Sequence, residues 1–269
     1  MTDTLSETTL DAAAVDRLAR HVHRAQAAAR AIPKLTNDHP TMTVADGYLV
    51  QNALRSRYLG EGHRLVGWKA GLTSKAKMEQ MGVDAPSVGF LTDRMAVPEG
   101  STVEVADHVH PRVEAEVAFV LSADLPAVDC TPEDVVAATA YLVPAIEIID
   151  SRFEAFKFDL PSVIADNSSS ARFVVGANGV RVDEVDRTTL GLALVRNGEL
   201  LTTGASAAVM GDPAAAVSTV ANIVGSLGAR LEAGMVVLSG GITEAFAIEP
   251  GDHVSARFQR LGVVDVSFA

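Results

Sequence analysis

The sequence has little of what disulfide-bonded, nucleic-acid-binding or membrane proteins require. Cys130 is the single cysteine, which excludes an intramolecular disulfide and a cysteine-rich metal site. Lysine and arginine number 22 against 34 acidic residues, and the net charge of −12 disfavours nucleic acid and anionic membranes as partners. No apolar run reaches the roughly 18 residues of a membrane span, and no signal peptide is visible. We therefore expect a cytoplasmic protein without nucleic-acid or membrane partners.

The chain is rich enough in apolar residues for a substantial core. Hydrophobic residues make up 48% of its 269 residues, which suits one large domain or two small ones. Apolar spacing and capping residues predict helices over 9–31, 44–59, 75–81, 131–141 and 212–227. Runs of β-branched residues predict strands over 65–74, 110–121, 143–150, 172–180 and 190–201. We expect an antiparallel meander over 235–269 and a possible lid in the loop over 82–89.

Two glutamates interrupt an apolar, β-prone stretch at 110–121. Glu114 and Glu116 are two residues apart, so their side chains point to the same face of an extended strand. Two buried carboxylates side by side are unfavourable without a compensating cation, which favours a bound divalent metal. On these residues alone, the alternative is an edge strand that carries two glutamates in solvent.

A third glutamate, Glu147, lies among branched apolar residues on a separate predicted strand. Together with Glu114 and Glu116 it would complete a set of three carboxylate ligands. Ligation by oxygen alone favours Mg²⁺, Mn²⁺ or Ca²⁺ over zinc. Three protein ligands would also leave coordination positions open for substrate and water.

Lys69 lies between Gly67 and Gly71 on a predicted strand. Glycine permits another group to approach the backbone closely, so Lys69 can reach into a pocket as an anion binder or proton donor. The alternative is a lysine that extends outward and keeps its ammonium group in solvent.

Arg152 and Lys157 lie in the segment 151–170, where aromatic residues alternate with charged ones. Both are available to bind carboxylates. Arg152 can instead neutralise nearby acids, and Asp166 with Asn167 can simply shape a turn.

A glycine loop follows the first predicted strand of the C-terminal segment. The backbone amides of Gly240 and Gly241 can hold a carboxylate. A plain turn is the alternative, because a Gly-Gly pair is also common in turns.

Five short motifs are specific in combination, at 67–73, 110–116, 144–147, 165–167 and 239–243. Together they resemble the 2-keto-4-pentenoate hydratase and 4-oxalocrotonate decarboxylase branch of the fumarylacetoacetate hydrolase superfamily. The resemblance runs from about residue 47 to the C-terminus. It implies an α+β fold, a rolled-up mixed β-sheet packed with helices, in a homo-oligomer. We expect an N-terminal helical portion at 1–64 and a catalytic portion at 65–269, in one compact unit.

The resemblance also implies roles for individual residues. Glu114, Glu116 and Glu147 match the family's Mg²⁺ or Mn²⁺ ligands, and Lys69 matches its active-site lysine. The residues expected to bind an unsaturated 2-oxo acid are Leu72, Arg152, Lys157, Gly240, Gly241 and Ile242.

Three features favour a decarboxylase over a hydratase within that branch. Ser87 stands where the hydratases typically carry an aspartate, and the segments 76–83 and 154–160 look like the decarboxylases. Lys157 adds a cation for a dicarboxylate substrate. We therefore expect metal-dependent decarboxylation of 2-oxohex-3-enedioate in the meta-cleavage pathway of aromatic catabolism. The alternatives are a hydratase and a non-catalytic partner subunit; a decarboxylase of this branch can also associate with a homologous hydratase.

Overall fold

The computed structural model describes residues 7–74 and 86–269. The helix predicted at 75–81, the segment 76–83 and most of the loop at 82–89 lie outside the described residues. The helices in this part of the chain are α1 (Ala12–Ala27), α2 (Val44–Gly60), α3 (Pro132–Ala138), α4 (Leu160–Ala165) and α5 (Pro213–Ser226). The strands are β1 (Leu65–Gly71), β2 (Ser87–Thr92), β3 (Thr102–Val103), β4 (Arg112–Leu121), β5 (Thr139–Ile149), β6 (Ser170–Val175), β7 (Val180–Arg181), β8 (Gly191–Arg196), β9 (Glu199–Ala205), β10 (Val236–Leu238), β11 (Phe246–Ala247), β12 (His253–Phe258) and β13 (Gly262–Phe268).

The strands form two sheets. The larger has the order β2-β1-β10-β4-β5-β6, with β11 beside β4 and β7 beside β5. β1 and β10 are parallel, and β4 is antiparallel to both β10 and β5. The smaller sheet has the order β3-β13-β12-β8-β9. These mixed sheets with packed helices confirm the predicted α+β fold, and the short β10 brings β1 close to β4.

The C-terminal segment is not the single meander predicted for 235–269. β10 and β11 belong to the larger sheet, where both pair with β4. β12 and β13 form the predicted antiparallel hairpin, but in the smaller sheet. Local alternation predicts that strands exist, whereas the choice of partner depends on burial against residues far away in sequence.

Helix α3 begins as predicted and ends earlier. The Thr131 side chain accepts from the Asp134 amide in a capping box, with Pro132 in the first turn. The helix stops at Ala138, and Thr139 opens β5 with extended backbone. Thr139 and Tyr141, which were expected to finish the helix, are β-branched and aromatic and pair with β4, so tertiary packing overrides the helical continuation.

Helix α2 packs directly on the larger sheet, and α1 packs on α2. The Gln51 side chain of α2 donates to the carbonyls of Val88 at 2.7 Å and Ile164 at 2.9 Å. One hydrophobic cluster contains side chains from α1, α2 and both sheets. The division at residue 64 stays a prediction.

Helix α5 is a core helix, capped by Asp212 as predicted. By length and composition alone, the stretch Ser206–Ser226 could cross a membrane, and it is the one such helix among the described residues. Within the protein, 56% of its most apolar window is buried. Val217, Val220 and Val224 are fully buried, so packing in the core accounts for the apolar composition.

Candidate active site

Strand β4 places two carboxylates in the protein interior. It runs between β10 and β5, so it is not an edge strand. Glu114 is 5% exposed and Glu116 is 0% exposed. The alternative of two glutamates in solvent is therefore excluded for this strand.

Strand β5 supplies the third carboxylate. Its pairing with β4 sets Glu147 directly opposite Glu114. Oxygens of Glu114, Glu116 and Glu147 lie within 4.8 Å of one another. The structure thus brings together the three glutamates that the sequence predicts as metal ligands.

Burial and neighbouring carboxylates raise the proton affinity of Glu116 and Glu147. Burial raises the pKa of Glu116 well above its usual range, and repulsion from Glu147 and Glu114 adds to this. The pKa of Glu147 is also raised, mainly by burial, although the Lys69 ammonium opposes the rise. A cluster with this electrostatic cost favours either protonation or a bound cation.

Buried oxygens without partners show that the carboxylates fit a divalent cation. Glu116 Oε1 and Glu147 Oε2 accept no hydrogen bond in the part of the chain that the structure describes. Buried polar atoms are otherwise nearly always paired, so these oxygens are available to an ion. A donor set of carboxylate oxygens suits Mg²⁺, Mn²⁺ or Ca²⁺.

Lys69 faces this cluster from β1. Its side chain is 3% exposed, which excludes the outward-pointing alternative, and its Nζ lies 3.3 Å from Glu147 Oε1. Gly89, its cross-strand partner on β2, leaves room for it. A Cβ at Gly89 would lie 3.2 Å from Lys69 Cε and 2.8 Å from the Asn167 carbonyl oxygen.

The glycine loop after β10 packs against the carboxylates of Glu114 and Glu116. The Gly240 N–H donates to Glu116 Oε2 at 2.7 Å, and Gly240 has φ +103. A Cβ at Gly241 would lie 2.6 Å from Glu114 Oε2. Ile242 N donates to the Ala115 carbonyl oxygen at 3.0 Å.

The Gly240 amide is already bonded to a carboxylate of the protein, and substrate binding by Gly240, Gly241 and Ile242 stays a prediction. The loop follows β10 and runs along β4, so the carboxylate that meets the Gly240 amide is that of Glu116. The plain-turn alternative is also incomplete, because this loop orients a proposed metal ligand.

A cavity of about 470 Å³ opens beside the carboxylates. Lys69, Leu72, Glu114 and Lys157, all singled out in the sequence, line it, as does Ser87. Sequence reasoning missed several other lining residues: Arg112, Ile149, Phe156, Phe158, Val163, Ser168, Ser169 and Glu244. Arg112 carried a usable signal, since it shares a strand face with Glu114.

Arg152 does not line this cavity. Its guanidinium is fully buried, bonded to the Asp166 side chain and carbonyl, and it donates to the Ser170 carbonyl oxygen at 3.3 Å. Burial raises the pKa of Asp166 to about 6, although Arg152 opposes the rise. Arg152 thus neutralises a neighbouring acid, as the alternative reading of the sequence had it, and a contact with substrate stays a prediction.

Asn167 does more than shape a turn. Its side chain accepts from Phe90 N at 2.8 Å and donates to Phe90 O at 3.0 Å, which ties the segment to β2. Asn167, Ser168 and Ser169 all have positive φ, at 52°, 49° and 59°. This unusual backbone turns Ser168 and Ser169 toward the cavity.

Comparison with known proteins decides the family. The fumarylacetoacetate (FAA) hydrolase C-terminal family model matches residues 66–268. The chain belongs to this family. The predicted resemblance and fold are thereby confirmed.

Full-length relatives of this fumarylacetoacetate hydrolase family member include decarboxylases and hydratases. A 4-oxalocrotonate decarboxylase of Pseudomonas putida is 45% identical over 260 residues, covering 97% of this chain and 98% of the relative. A 2-keto-4-pentenoate hydratase of Paraburkholderia xenovorans is 35% identical over 253 residues, 94% of each chain. The solved structure of 4-oxalocrotonate decarboxylase from Pseudomonas putida G7, complexed with magnesium and adipate, has a TM-score of 0.95 at 44% identity, covering 98% of this chain and 100% of that one.

A second cavity of about 520 Å³ lies behind the wall of the first. Asp150 and Ser170 line the second cavity, whereas their neighbours Ile149 and Ser169 line the first. The glutamate cluster borders the first cavity through Glu114. The first, smaller cavity is therefore the candidate active site of this family member.

Proposed function

We propose that the protein is a divalent-metal-dependent decarboxylase, which converts 2-oxohex-3-enedioate to 2-hydroxypenta-2,4-dienoate and CO₂ in the meta-cleavage pathway. The observation that carries this proposal is the buried cluster of Glu114, Glu116 and Glu147, with Lys69 beside it at one cavity. The similarity to 4-oxalocrotonate decarboxylase, at 45% identity against 35% for the hydratase, supports the choice of reaction.

Glu114, Glu116 and Glu147 would hold the cation, for which we propose Mg²⁺ or Mn²⁺. When bound there, the ion supplies a Lewis acid that stabilises negative charge on the C2 oxygen of the substrate. The similar structure from Pseudomonas putida G7 contains magnesium, which supports this choice of metal.

Lys69 is the proposed catalytic residue. Cleavage of the C5–C6 bond releases CO₂, and its electron pair forms the C4=C5 double bond. The former C3=C4 pair moves to C2–C3 and the C2=O π pair moves onto oxygen, which takes a proton from Lys69 Nζ to give the enol product. The neighbouring Glu147 carboxylate, 3.3 Å away, holds this ammonium at the cavity.

The cavity walls favour loss of CO₂ over addition of water. Ile149, Phe156, Phe158 and Val163 supply apolar lining that limits water near the reacting carbons. At the position of Ser87 the wall carries a hydroxyl that meets Ser168 Oγ at 3.1 Å. A hydroxyl is a much weaker base than a carboxylate, so water activation gains little from it.

Leu72 and Lys157 line the cavity and are proposed substrate contacts. The loop with Gly240, Gly241 and Ile242 is proposed to position the carboxylates of Glu114 and Glu116. Arg152 is proposed to act indirectly, by neutralising Asp166.

Purified protein with Mg²⁺ should release CO₂ from 2-oxohex-3-enedioate and form the dienol. Efficient hydration of 2-hydroxypenta-2,4-dienoate, with the diacid left intact, would assign the protein to the hydratases instead. A non-catalytic partner subunit would show no turnover and no divalent-metal binding in calorimetry.

We also propose a cytoplasmic homo-oligomer, with association to a homologous hydratase. The single, buried Cys130 suits a reducing compartment. Light scattering of the purified protein, alone and with such a hydratase, tests both assemblies.

A further inference from the structure

Arg112 lines the cavity and lies two residues before Glu114 on the same strand. It opens β4 and shares a strand face with Glu114 and Glu116. The rise along a strand puts its Cα about 7 Å from that of Glu114. Arg112 lines the same cavity and is partly buried.

The guanidinium of Arg112 lies over an aromatic ring, and its N–H donors have no hydrogen-bond acceptor among the described residues. Its Cζ lies 4.5 Å from the centroid of the Phe156 ring. Within 7–74 and 86–269, it forms no ion pair with a carboxylate and no side-chain hydrogen bond. The ring covers one side of the guanidinium, and its N–H groups are available to a planar anion.

The spacing suits a six-carbon diacid. Carbons 1 and 6 of an extended chain of this length lie about 6 Å apart. This is close to the distance of about 7 Å between the Cα atoms of Glu114 and Arg112. With the 2-oxo acid end at the glutamate cluster, the distal carboxylate reaches the guanidinium.

We propose that Arg112, positioned by Phe156, selects dicarboxylates by binding the carboxylate distal to the 2-oxo group. This inference rests on the proposed function and names the residue that chooses among its substrates. Lys157 also lines the cavity, but it is exposed, so its ammonium interacts more weakly with an anion.

The role of Arg112 is binding rather than acceleration. The distal carboxylate loses its charge when it leaves as CO₂, so a cation beside it stabilises the bound substrate more than the transition state. Loss of Arg112 is therefore expected to raise KM for the diacid while kcat is retained.

The test compares two unreactive 2-oxo acids of equal chain length, 2-oxoadipate and 2-oxohexanoate, by calorimetry with Mg²⁺. Both lack the C3=C4 double bond, which in the substrate carries the electron pair of the breaking C5–C6 bond to the oxo group. Neither compound is therefore decarboxylated. Wild-type protein should bind the diacid at least about tenfold more tightly, and Arg112→Met should lose this preference. Phe156→Leu should reduce the preference, and Phe156→Tyr should retain it.

Arg55→Met is the matched control, because Arg55 also stacks on an aromatic ring, 5.2 Å from the Trp68 centroid, and does not line the cavity. It should keep both affinities. Unchanged 2-oxohexanoate binding by Arg112→Met shows that its cavity is folded.

Three results would overturn the inference: wild-type protein without a preference for the diacid, Arg112→Met that keeps the preference, or Arg112→Met that loses both ligands. Loss of the preference in Lys157→Met but not in Arg112→Met would assign the role to Lys157. Failure of the wild type to decarboxylate 2-oxohex-3-enedioate counts against the proposed function alone, because the binding preference is measured without turnover.

Discussion

At the scale of single residues, Glu116 and Glu147 keep buried carboxylate oxygens that accept no hydrogen bond from the described part of the chain. Glu116 accepts one hydrogen bond, from Gly240, and its second oxygen is buried without a described partner. Lys69 is the cation beside Glu147. Both Glu116 and Glu147 are fully buried, so a divalent ion at their open oxygens would lower the electrostatic cost of this burial.

Replacing Glu116 by glutamine is expected to weaken Mg²⁺ binding by at least about tenfold, because a charged ligand becomes neutral. The glutamine carbonyl can still accept the Gly240 N–H, so the fold should persist. Calorimetry measures the affinity, and circular dichroism of the same sample checks the fold. Tight Mg²⁺ binding by the folded variant would remove Glu116 from the ligand set.

Cys130 is expected to be an unreactive thiol. Burial raises its pKa to about 11, with the Asp134 carboxylate adding to the rise. At pH 8 only about 0.1% of such a thiol is ionised, against about a quarter of a free cysteine, and the thiolate is the nucleophile. Alkylation by iodoacetamide should therefore be slow in native protein and fast in urea. Equal rates would show that Cys130 is accessible and ionisable in the fold.

At the scale of secondary-structure elements, the pairing of strands determines which side chains meet at the site. The sequence indicates that Glu114 and Glu116 share a face, because alternation along a strand is a local property. It does not indicate that Glu147 lies opposite Glu114, or that β10 inserts between β1 and β4, because register depends on distant residues. Ser168 and Ser169 were missed for a similar reason: positive φ at serine has no sequence signal.

Helix α2 is tied to the N-terminal segment through one carboxylate. The fully buried Asp46 accepts from Thr9 N at 3.0 Å, Leu10 N at 3.1 Å and Thr43 N at 2.9 Å. Burial raises its pKa, but these hydrogen bonds outweigh burial, so the pKa lies below its usual 3.8. The carboxylate therefore stabilises the fold above that value, and the contribution is lost as pH falls through the lowered pKa.

Asp46→Asn is expected to cost about 1–3 kcal/mol of unfolding free energy at neutral pH, since an amide replaces a charged acceptor. Urea denaturation at pH 7 and near pH 3 measures this. The difference from wild type should shrink at the lower pH. A difference that stays constant across this range would show that charge on Asp46 contributes nothing.

At the scale of the whole molecule, the protein and its proposed dicarboxylate substrate are both negatively charged. With a net charge of −12, long-range attraction does not concentrate a diacid near the surface, so cations at the cavity must do so locally. Lys69, Arg112 and Lys157 provide these charges. Composition predicted the broad class of the protein, whereas the cavity became visible only when β1, β4 and α4 were placed together.

Metal binding is expected to stabilise the entire fold. An ion that binds the folded state alone adds about 2.7 kcal/mol when present at about 100 times its Kd. Melting temperatures with Mg²⁺ and with a chelator measure this. Identical melting curves in the two conditions would mean that no site in the folded chain holds the ion.

The most direct test is one time course of CO₂ release from 2-oxohex-3-enedioate, started with Mg²⁺, interrupted by a chelator and resumed with excess Mg²⁺. The account predicts that release stops on chelation and recovers when the ion returns. Release that continues unchanged in the chelator, or substrate that remains intact throughout, would contradict a metal-dependent decarboxylase.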